Sequence, residues 1–215
     1  MTGSNTGIGL YTAKLLAEMG ADVIVACRTM EKAKQAIKWM KINSTKEMEL
    51  IPMELDLSRL ASVLKFVDEY QKNYNKLDIL INNAGVYKPT RELTADGLEE
   101  MMGVNHVGHF LLTNKLLHLM KKRKSRIINV SSGSHAHASH LFLDDWMAEK
   151  SFFHYRQYSN SKLANHLFSF QLNKMLNGTG VCVYTVHPVK KFFFLIFFLI
   201  FFFNFFFFFF ILIFN

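Results

Sequence analysis

Cysteine is scarce in this chain, which has only Cys27 and Cys182 among its 215 residues. Both lie in short apolar runs typical of strands, so the sequence predicts buried thiols in a reducing compartment and not a disulfide framework. A metal site is not expected either. His106 and His109 are three residues apart on a predicted helix, but no further ligand is spaced to join them. The histidines of a polar loop, at positions 135, 137 and 140, are likewise interpreted as packing residues, with a place beside the substrate as the alternative.

The sequence lacks the motifs that two functional classes require. No module of interleaved basic and aromatic residues is present, so nucleic-acid binding is not expected despite a net charge of +8. The surplus of lysine instead predicts solvated helix surfaces, with attraction to an acidic membrane or a phosphorylated cofactor as the alternative. A serine hydrolase is not favoured, because no Gly-x-Ser-x-Gly elbow surrounds Ser131 or Ser132.

Hydrophobic periodicity alternates between helix and strand along most of the chain. Strands are expected at 22–27, 48–55, 77–82, 126–130 and 181–186, and helices at 8–19, 31–41, 58–74, 96–122 and 155–176. Ser58 is expected to cap the third helix. Short apolar strands between amphipathic helices predict an α/β fold with a doubly wound parallel sheet, formed by one domain over residues 1–189.

Both ends of the chain depart from that pattern. A glycine loop normally follows a strand, whereas only Met1 precedes Thr2, so the first strand of the sheet is expected to be missing. Residues 190–215 form a Phe-rich tail of Lys, Phe, Leu, Ile and Asn, which all have codons of A and T alone. The tail is interpreted as translation of an AT-rich non-coding stretch, with a membrane segment as the alternative.

A glycine loop opens the chain. Its glycines permit a tight turn and a close approach of the backbone to a pyrophosphate at a helix N-terminus, although a glycine turn without a ligand is the alternative. The residues expected to bind a dinucleotide there are Gly3, Ser4, Asn5, Thr6, Gly7, Ile8 and Gly9. Arg28 follows the next strand, where a cation suits a 2′-phosphate, so NADP(H) is favoured over NAD(H), with a surface arginine at a strand end as the alternative.

Polar or small residues follow two further strands. Asp56, next to Leu57, is expected either to accept a hydrogen bond from an adenine amine or to cap a helix. Asn83, Ala84 and Gly85 are expected to line the adenosine side of the same crevice, with a plain turn as the alternative.

The stretch from Tyr158 to Lys162 is the strongest indication of chemistry. The two residues are four apart and share one helix face, where the ammonium favours the phenolate and so supplies a proton donor near neutral pH. Ser132 ends a strand and is expected to bond a substrate carbonyl in the same crevice. Asn105, a poor helix former within a predicted helix, is expected to mark a kink that holds a water. Together these motifs predict nicotinamide-dependent oxidoreduction.

These motifs, in this order, resemble the short-chain dehydrogenase/reductase family. The resemblance rests on Thr2-Gly-x-x-x-Gly-Ile-Gly9, Asn82-Asn-Ala-Gly85, Asn105, Ser132 and Tyr158-x-x-x-Lys162, and it spans Thr2 to Pro188. Cys27-Arg28, Asn105 to Thr113, Ser161 to Asn165 and Gly178 to Val181 are similar to the retinol dehydrogenase branch. The WW-domain-containing oxidoreductases are the second most similar group.

The resemblance implies a role for each residue. Tyr158 would be the acid/base, Lys162 would favour its phenolate and hold the nicotinamide ribose, and Ser132 would orient the carbonyl. Asn105 would support a proton relay, while Asp56 would contact adenine and Arg28 would select NADP(H). The implied substrate is a small lipophilic carbonyl or alcohol such as retinal or retinol. A homo-oligomer, and a location in the cytoplasm or on the cytoplasmic face of the endoplasmic reticulum membrane, agree with the resemblance.

The chain departs from the family after its last predicted strand. The family continues with His-Pro-Gly and a threonine at the nicotinamide carboxamide, whereas this chain has His187-Pro188-Val189-Lys190. The nicotinamide clamp and the C-terminal substrate lid are therefore expected to be absent, and NADP(H) binding and turnover are expected to be weak. A non-catalytic, membrane-tethered fragment that interacts with a partner protein is the alternative function.

Overall fold

The computed structural model describes residues 1–120, 124–138, 141 and 143–188. The helices are α1 (Gly7–Glu18), α2 (Met30–Ile42), α3 (Leu60–Asn73), α4 (Glu100–Met102), α5 (Gly108–Leu116) and α6 (His154–Met175), and the strands are β1 (Val23–Cys27), β2 (Leu50–Glu54), β3 (Ile79–Asn82), β4 (Ser125–Val130) and β5 (Val181–Val186). The Phe-rich tail and the histidine at position 140 lie outside the described residues.

All of the strand pairings between these five strands are parallel. β1 pairs with β2, and β3, β4 and β5 form a second group in that order. Since parallel neighbours need a crossover, helices connect the strands and cover both faces of the sheet. The carboxyl ends of β1, β3 and β4 are thereby brought to one edge of the sheet, where ligands bind in open α/β folds.

Neighbouring residues of one strand pack against different helices. Leu80 and Ile127 belong to a buried cluster with α3, α5 and α6, whereas Ile81 and Ile128 belong to a second buried cluster with α1 and α2. Because successive side chains of a strand point to opposite faces, the two clusters lie on opposite sides of the sheet. The predicted doubly wound α/β fold is confirmed.

The residues before the glycine loop lie between the two groups of strands. Thr2 forms a parallel bridge with Ala26, and its amide donates to the Ile81 carbonyl at 3.0 Å. On the β1 side, the Ala26 amide donates to Met1 O at 3.1 Å. Met1 to Gly3 therefore hydrogen-bond to both β1 and β3, in the position where the sequence predicts a missing strand.

Three local expectations are wrong. Ser58 does not cap α3, since the N-cap residue is Arg59 and the Leu60 amide instead donates to the Asp96 carboxylate at 2.8 Å. The helix expected from residue 96 begins only at α4 and contains a π-helical turn, Gly103–Val107. Cys182 is exposed, because β5 is an edge strand among those described, whereas Cys27 is buried as expected.

None of the helices in the described part of the chain combines the length and apolar composition that crossing a membrane requires.

Candidate active site

The glycine loop has a conformation that depends on its glycines. Gly3 and Gly7 have φ values of +64° and +52°, in the left-handed region that other residues rarely adopt. A Cβ atom at Gly9 would lie 2.2 Å from Gly3 O, a distance at which two atoms cannot coexist. The turn therefore closes on itself so tightly that no side chain fits between its two ends.

The N-terminus of α1 is free of side-chain caps. Thr6 is the N-cap residue, but its side chain bonds no helix amide, and the first turn contains no acidic residue. A Cβ atom at Gly7 would meet nothing within 4 Å, so the backbone of the loop faces open space there. Uncapped amides at the positive end of a helix fit a pyrophosphate, and this part of the site suits a dinucleotide.

One hydroxyl group fixes the glycine loop to the carboxyl end of β3. Thr2 Oγ1 accepts hydrogen bonds from the amides of Asn83 and Ala84, both at 2.9 Å, and contacts His109 Nε2 at 2.9 Å. The Asn83 side chain donates to Thr2 O at 2.9 Å and to Gly3 O at 3.2 Å. Asn83, expected to line the adenosine side, thus uses its side-chain amide to support the loop.

His109 is a buried, neutral member of this network. Its Nδ1 lies 3.1 Å from Asn105 O, which only accepts, so Nδ1 carries the proton and Nε2 accepts from the Thr2 hydroxyl. Burial lowers the pKa of His109 to about 4. The histidine therefore connects the glycine loop to the helix that carries Asn105.

Arg28 and Asp56 follow neighbouring strands of the sheet. Arg28 is exposed directly after β1 and next to the N-terminus of α2. The Asp56 carboxylate accepts hydrogen bonds from the Ser58 amide at 3.0 Å and the Ser58 hydroxyl at 2.7 Å. Leu57 is buried, and its carbonyl would lie 2.8 Å from a Cβ atom at Gly108. Asp56 therefore orders its own turn.

Tyr158 and Lys162 occupy one face of α6, as the sequence predicts. Lys162 Nζ lies 5.6 Å from the centroid of the Tyr158 ring and donates to Val130 O at 3.2 Å. Only 3% of Lys162 is exposed, and burial lowers its pKa to about 8. A Cβ atom at Gly85 would lie 3.3 Å from Nζ, a tight contact, so the loop after β3 approaches the ammonium closely.

Asn105 lies in the π-helical turn, an irregularity at the position where the sequence predicts a kink. Its side chain accepts from the Val86 amide at 2.7 Å and donates to Val86 O and Ser161 Oγ, each at 3.0 Å. Its main-chain carbonyl accepts from His109 and from Asn165 Nδ2, the latter at 2.8 Å. Asn105 therefore joins the loop after β3 to α6, next to Lys162.

Ser132 and Tyr158 are not hydrogen-bonded to each other. Ser132 Oγ caps a short 3-10 turn, with the Ser134 amide at 3.2 Å and the Ser134 hydroxyl at 3.1 Å. Within the described residues, the Tyr158 hydroxyl has no hydrogen-bond partner, and its ring makes an edge contact with Tyr87 at 5.3 Å. Ser131, by contrast, is buried and donates to Lys162 O at 3.0 Å, which leaves Ser132 as the serine on the accessible side.

One loop histidine, His135, stacks on a histidine of α6 beside Ser132, whereas the ring of His137 lies 5.6 Å from that of Tyr155. The rings of His135 and His166 lie 4.9 Å apart and nearly parallel, with His187 at 6.4 Å from His135. No cluster of three or more His, Cys, Asp or Glu residues in the described ranges has the arrangement of a metal site.

The chain is similar to proteins of known family. The family model for the short chain dehydrogenase matches residues 1–190. Human retinol dehydrogenase 12 is 44% identical over 189 residues, which are 87% of this chain and 59% of that protein. Human retinol dehydrogenase 13 is 44% identical over 191 residues, and 57% of its length is covered. The chain thus spans about three fifths of the length of these curated relatives.

Two solved structures share the fold. An uncharacterized protein from Mycobacterium paratuberculosis is 37% identical with a TM-score of 0.76, covering 88% of this chain and 67% of that one. RhlG from Pseudomonas aeruginosa, solved as an NADP active-site complex, is 25% identical with a TM-score of 0.69, covering 87% of this chain and 70% of that one.

Proposed function

The chain belongs to the short-chain dehydrogenase family, and from that premise we propose that its site exchanges a hydride between a nicotinamide cofactor and a carbonyl or alcohol carbon. The observation that carries this proposal is the buried Lys162 ammonium 5.6 Å from the centroid of the Tyr158 ring. A phenol beside a buried cation is a proton donor whose conjugate base is stabilised electrostatically.

Tyr158 supplies the proton in the direction of reduction. When bound, the nicotinamide supplies the hydride that goes to the carbonyl carbon. The carbonyl oxygen takes the proton of the Tyr158 hydroxyl, so that the product is an alcohol and Tyr158 is left as a phenolate beside the Lys162 ammonium. The reverse sequence oxidises an alcohol, with the phenolate as base.

Ser132 and Asn105 have supporting roles in this proposal. Rotation of the Ser132 hydroxyl away from Ser134 would let it donate to the substrate carbonyl oxygen. The Asn105 side chain bonds Val86 in the loop after β3 and Ser161 in α6. These contacts fix the position of that loop relative to α6, the helix that carries Lys162. Asn105 is therefore assigned a positioning role, beside the proton relay that the family resemblance implies.

The dinucleotide would lie along the carboxyl edge of the sheet. Its phosphates would bind at the uncapped N-terminus of α1, and Lys162 would exchange its hydrogen bond to the Val130 carbonyl for one to a ribose hydroxyl. Arg28 favours NADP(H) over NAD(H), since its guanidinium suits a 2′-phosphate, and Asp56 remains the proposed contact of adenine. The NADP complex of RhlG is consistent with this preference.

A lipophilic carbonyl or alcohol is the proposed substrate. The relatives named above are retinol dehydrogenases, and exposed aromatic side chains, including Tyr87, Phe153 and Tyr155, occur beside or just before Tyr158. Weak turnover of this chain, homo-oligomer formation and a site at the cytoplasmic face of the endoplasmic reticulum stay predictions. The second candidate, a membrane-tethered fragment without activity, is favoured only by the Phe-rich composition of residues 190–215.

Binding and chemistry are tested separately with the full chain in detergent. Quenching of tryptophan fluorescence by NADPH measures binding, and a single-turnover assay with enzyme in excess over all-trans-retinal detects slow reduction. We expect NADPH to bind, retinal to be reduced, and Tyr158→Phe to lower the rate about a thousandfold while still binding NADPH. Binding without any reduction of retinal or of a short aliphatic aldehyde would favour the inactive fragment.

A further inference from the structure

Glu99 is a buried carboxylate that the proposed chemistry does not use. Its side chain is 0% exposed, and no ion pair in the described residues includes it. Three N–H groups surround it instead: the amides of Met101 and Met102, at 3.0 and 2.9 Å, and the side chain of Gln157 at 2.8 Å. Burying a charge without a cation is costly, so this arrangement is expected to serve a purpose beyond stability.

The three partners of Glu99 belong to the two helical segments that carry the proposed catalytic groups. Met101 and Met102 lie in α4, which continues directly into the π-helical turn with Asn105. Gln157 is in the first turn of α6 and directly precedes Tyr158. One carboxylate thus caps the first segment and holds the second, although Glu99 and Gln157 are 58 residues apart in sequence.

Gln157 also fixes the loop before α6. Its side-chain amide donates a second hydrogen bond, to Trp146 O at 2.9 Å, and the Glu99 amide contacts Met147 Sδ at 3.4 Å. The N-cap residue of α6, Phe153, provides no side-chain cap for the helix. The first turn of α6, and with it Tyr158, therefore depends on Gln157 for a buried polar anchor.

We propose that Glu99 and Gln157 form a buried latch that sets the position of Tyr158 relative to Asn105 and the cofactor side of the site. Both are positioning residues, and the inference rests on the proposed function because it assigns a purpose to the position of Tyr158. Replacing Gln157 removes one of the three hydrogen-bond donors to the Glu99 carboxylate and the donor to Trp146 O. The first turn of α6 can then shift. Such a shift should lower the rate of the chemical step without weakening the cofactor site.

The test replaces Gln157 by Leu, a change that keeps the volume and removes both hydrogen bonds. Gln71→Leu is the matched control, since Gln71 is exposed on α3 and its side chain makes one long contact of 3.4 Å with Lys115 O. We expect Gln157→Leu to lower the single-turnover rate at least about tenfold and to leave the Kd for NADPH within about twofold. Gln71→Leu should change neither quantity. A rate within about twofold of the unsubstituted chain would overturn the proposal.

Tryptophan fluorescence gives a readout that does not need turnover. The chain has two tryptophans, Trp39 and Trp146, so Trp39→Phe leaves the emission of Trp146 alone. In that background, Gln157→Leu should shift the emission to longer wavelength as the loop gains water contact, and Gln71→Leu should not. If the unsubstituted chain reduces no carbonyl, the proposed function fails, yet an emission shift still supports the latch and an unchanged emission overturns it.

A charge exchange covers the case in which Gln157→Leu does not fold. Glu99→Gln alone places two amides against each other, whereas Glu99→Gln with Gln157→Glu restores one carboxylate facing one amide. We expect the double variant to be at least about threefold faster than Glu99→Gln, or to regain the Trp146 emission of the parent. A double variant no better than Glu99→Gln in either measurement would contradict the latch.

Discussion

The two sides of the candidate site are built in different ways. On the glycine-loop side, every decisive contact includes a main-chain group: the Asn83 and Ala84 amides donate to the Thr2 hydroxyl, and Gly9 packs directly on Gly3 O. On the tyrosine side, buried side chains do so, with Lys162 on Val130 O and Gln157 on Glu99. The first side thus depends on the conformation of the backbone, and the second on buried side chains that bond to distant parts of the sequence.

This difference implies different failures on substitution. A side chain added on the glycine-loop side collides with the backbone, so the loop loses the conformation that would bind a pyrophosphate. A side chain removed on the tyrosine side changes the charge or the position of the reacting group while the fold persists.

Gly9→Ala should break the glycine-loop side. Its Cβ atom would lie 2.2 Å from Gly3 O and 2.6 Å from Asn83 Nδ2, so the loop must open. We expect the Kd for NADPH to rise about a thousandfold, since the backbone can no longer approach the pyrophosphate. Gly20→Ala is the control at the other end of α1. It has φ +91° and no contact within 4 Å, so it should cost about 1 kcal/mol of stability and leave the Kd unchanged.

His109 should make the connection between the two sides sensitive to acid. Its folded pKa of about 4 lies below the usual 6.5, so the unfolded chain binds more protons between these values. The stability that neutral His109 contributes is present above pH 6.5 and is lost as the pH falls through 4, by about 3 kcal/mol in all. Urea unfolding from pH 7.5 to 4 measures this slope.

His109→Gln should flatten that dependence, whereas His118→Gln, at an exposed position, should not alter it. An unchanged slope in His109→Gln would mean that other groups carry the acid sensitivity and that His109 tolerates its proton.

Lys162→Met should raise stability and remove function, and so separate the two on the tyrosine side. The folded pKa of about 8 lies below the unfolded value near 10.4, so the buried ammonium costs stability below pH 8, and this cost fades as the pH rises through these values. We expect the free energy of unfolding of the variant to be higher by on the order of 2 kcal/mol at pH 7, and its turnover to be lost. Lys174→Met, exposed on the same helix, is the control; equal effects of the two would contradict this account.

Arg28→Ala should have the smallest effect and should leave the tyrosine side untouched. Loss of the guanidinium is expected to weaken NADPH binding about tenfold and NADH binding hardly at all, because only NADPH has a 2′-phosphate. Arg59→Ala, which removes an exposed arginine near Asp56, should not discriminate between the cofactors. Equal losses for both cofactors in Arg28→Ala would remove the basis for the NADP(H) preference.

The parts of the fold that depend on local pattern could be predicted from the sequence. Strand and helix positions follow from apolar periodicity, and the turn at Asn105 follows from a residue that fits a helix poorly. The cap of α3 could not be predicted, since the Leu60 amide is bonded by Asp96, which is 36 residues away. Local capping rules favour Ser58, whose hydroxyl is instead bonded to Asp56.

The tyrosine side illustrates the same limit within the site. Tyr158 and Lys162 are recognisable because one helix places them together, but Glu99 and Gln157 meet only in the folded chain. The sole signal in the sequence is an acidic residue shortly before a helix. Many helices begin in this way, so the signal does not indicate Gln157 as a partner. Likewise, nothing in the spacing indicates that the Asn83 side chain supports the glycine loop and not a ligand.

The central claim is that Tyr158 protonates a carbonyl oxygen while a hydride reaches the carbonyl carbon. The most direct test supplies NADPH deuterated at the transferable position of the nicotinamide to the full chain with all-trans-retinal, followed by mass spectrometry of the retinol. The account predicts one deuterium at the carbinol carbon, formed by the unsubstituted chain and about a thousandfold more slowly by Tyr158→Phe. Retinol without deuterium, or equal rates for the two proteins, would contradict it.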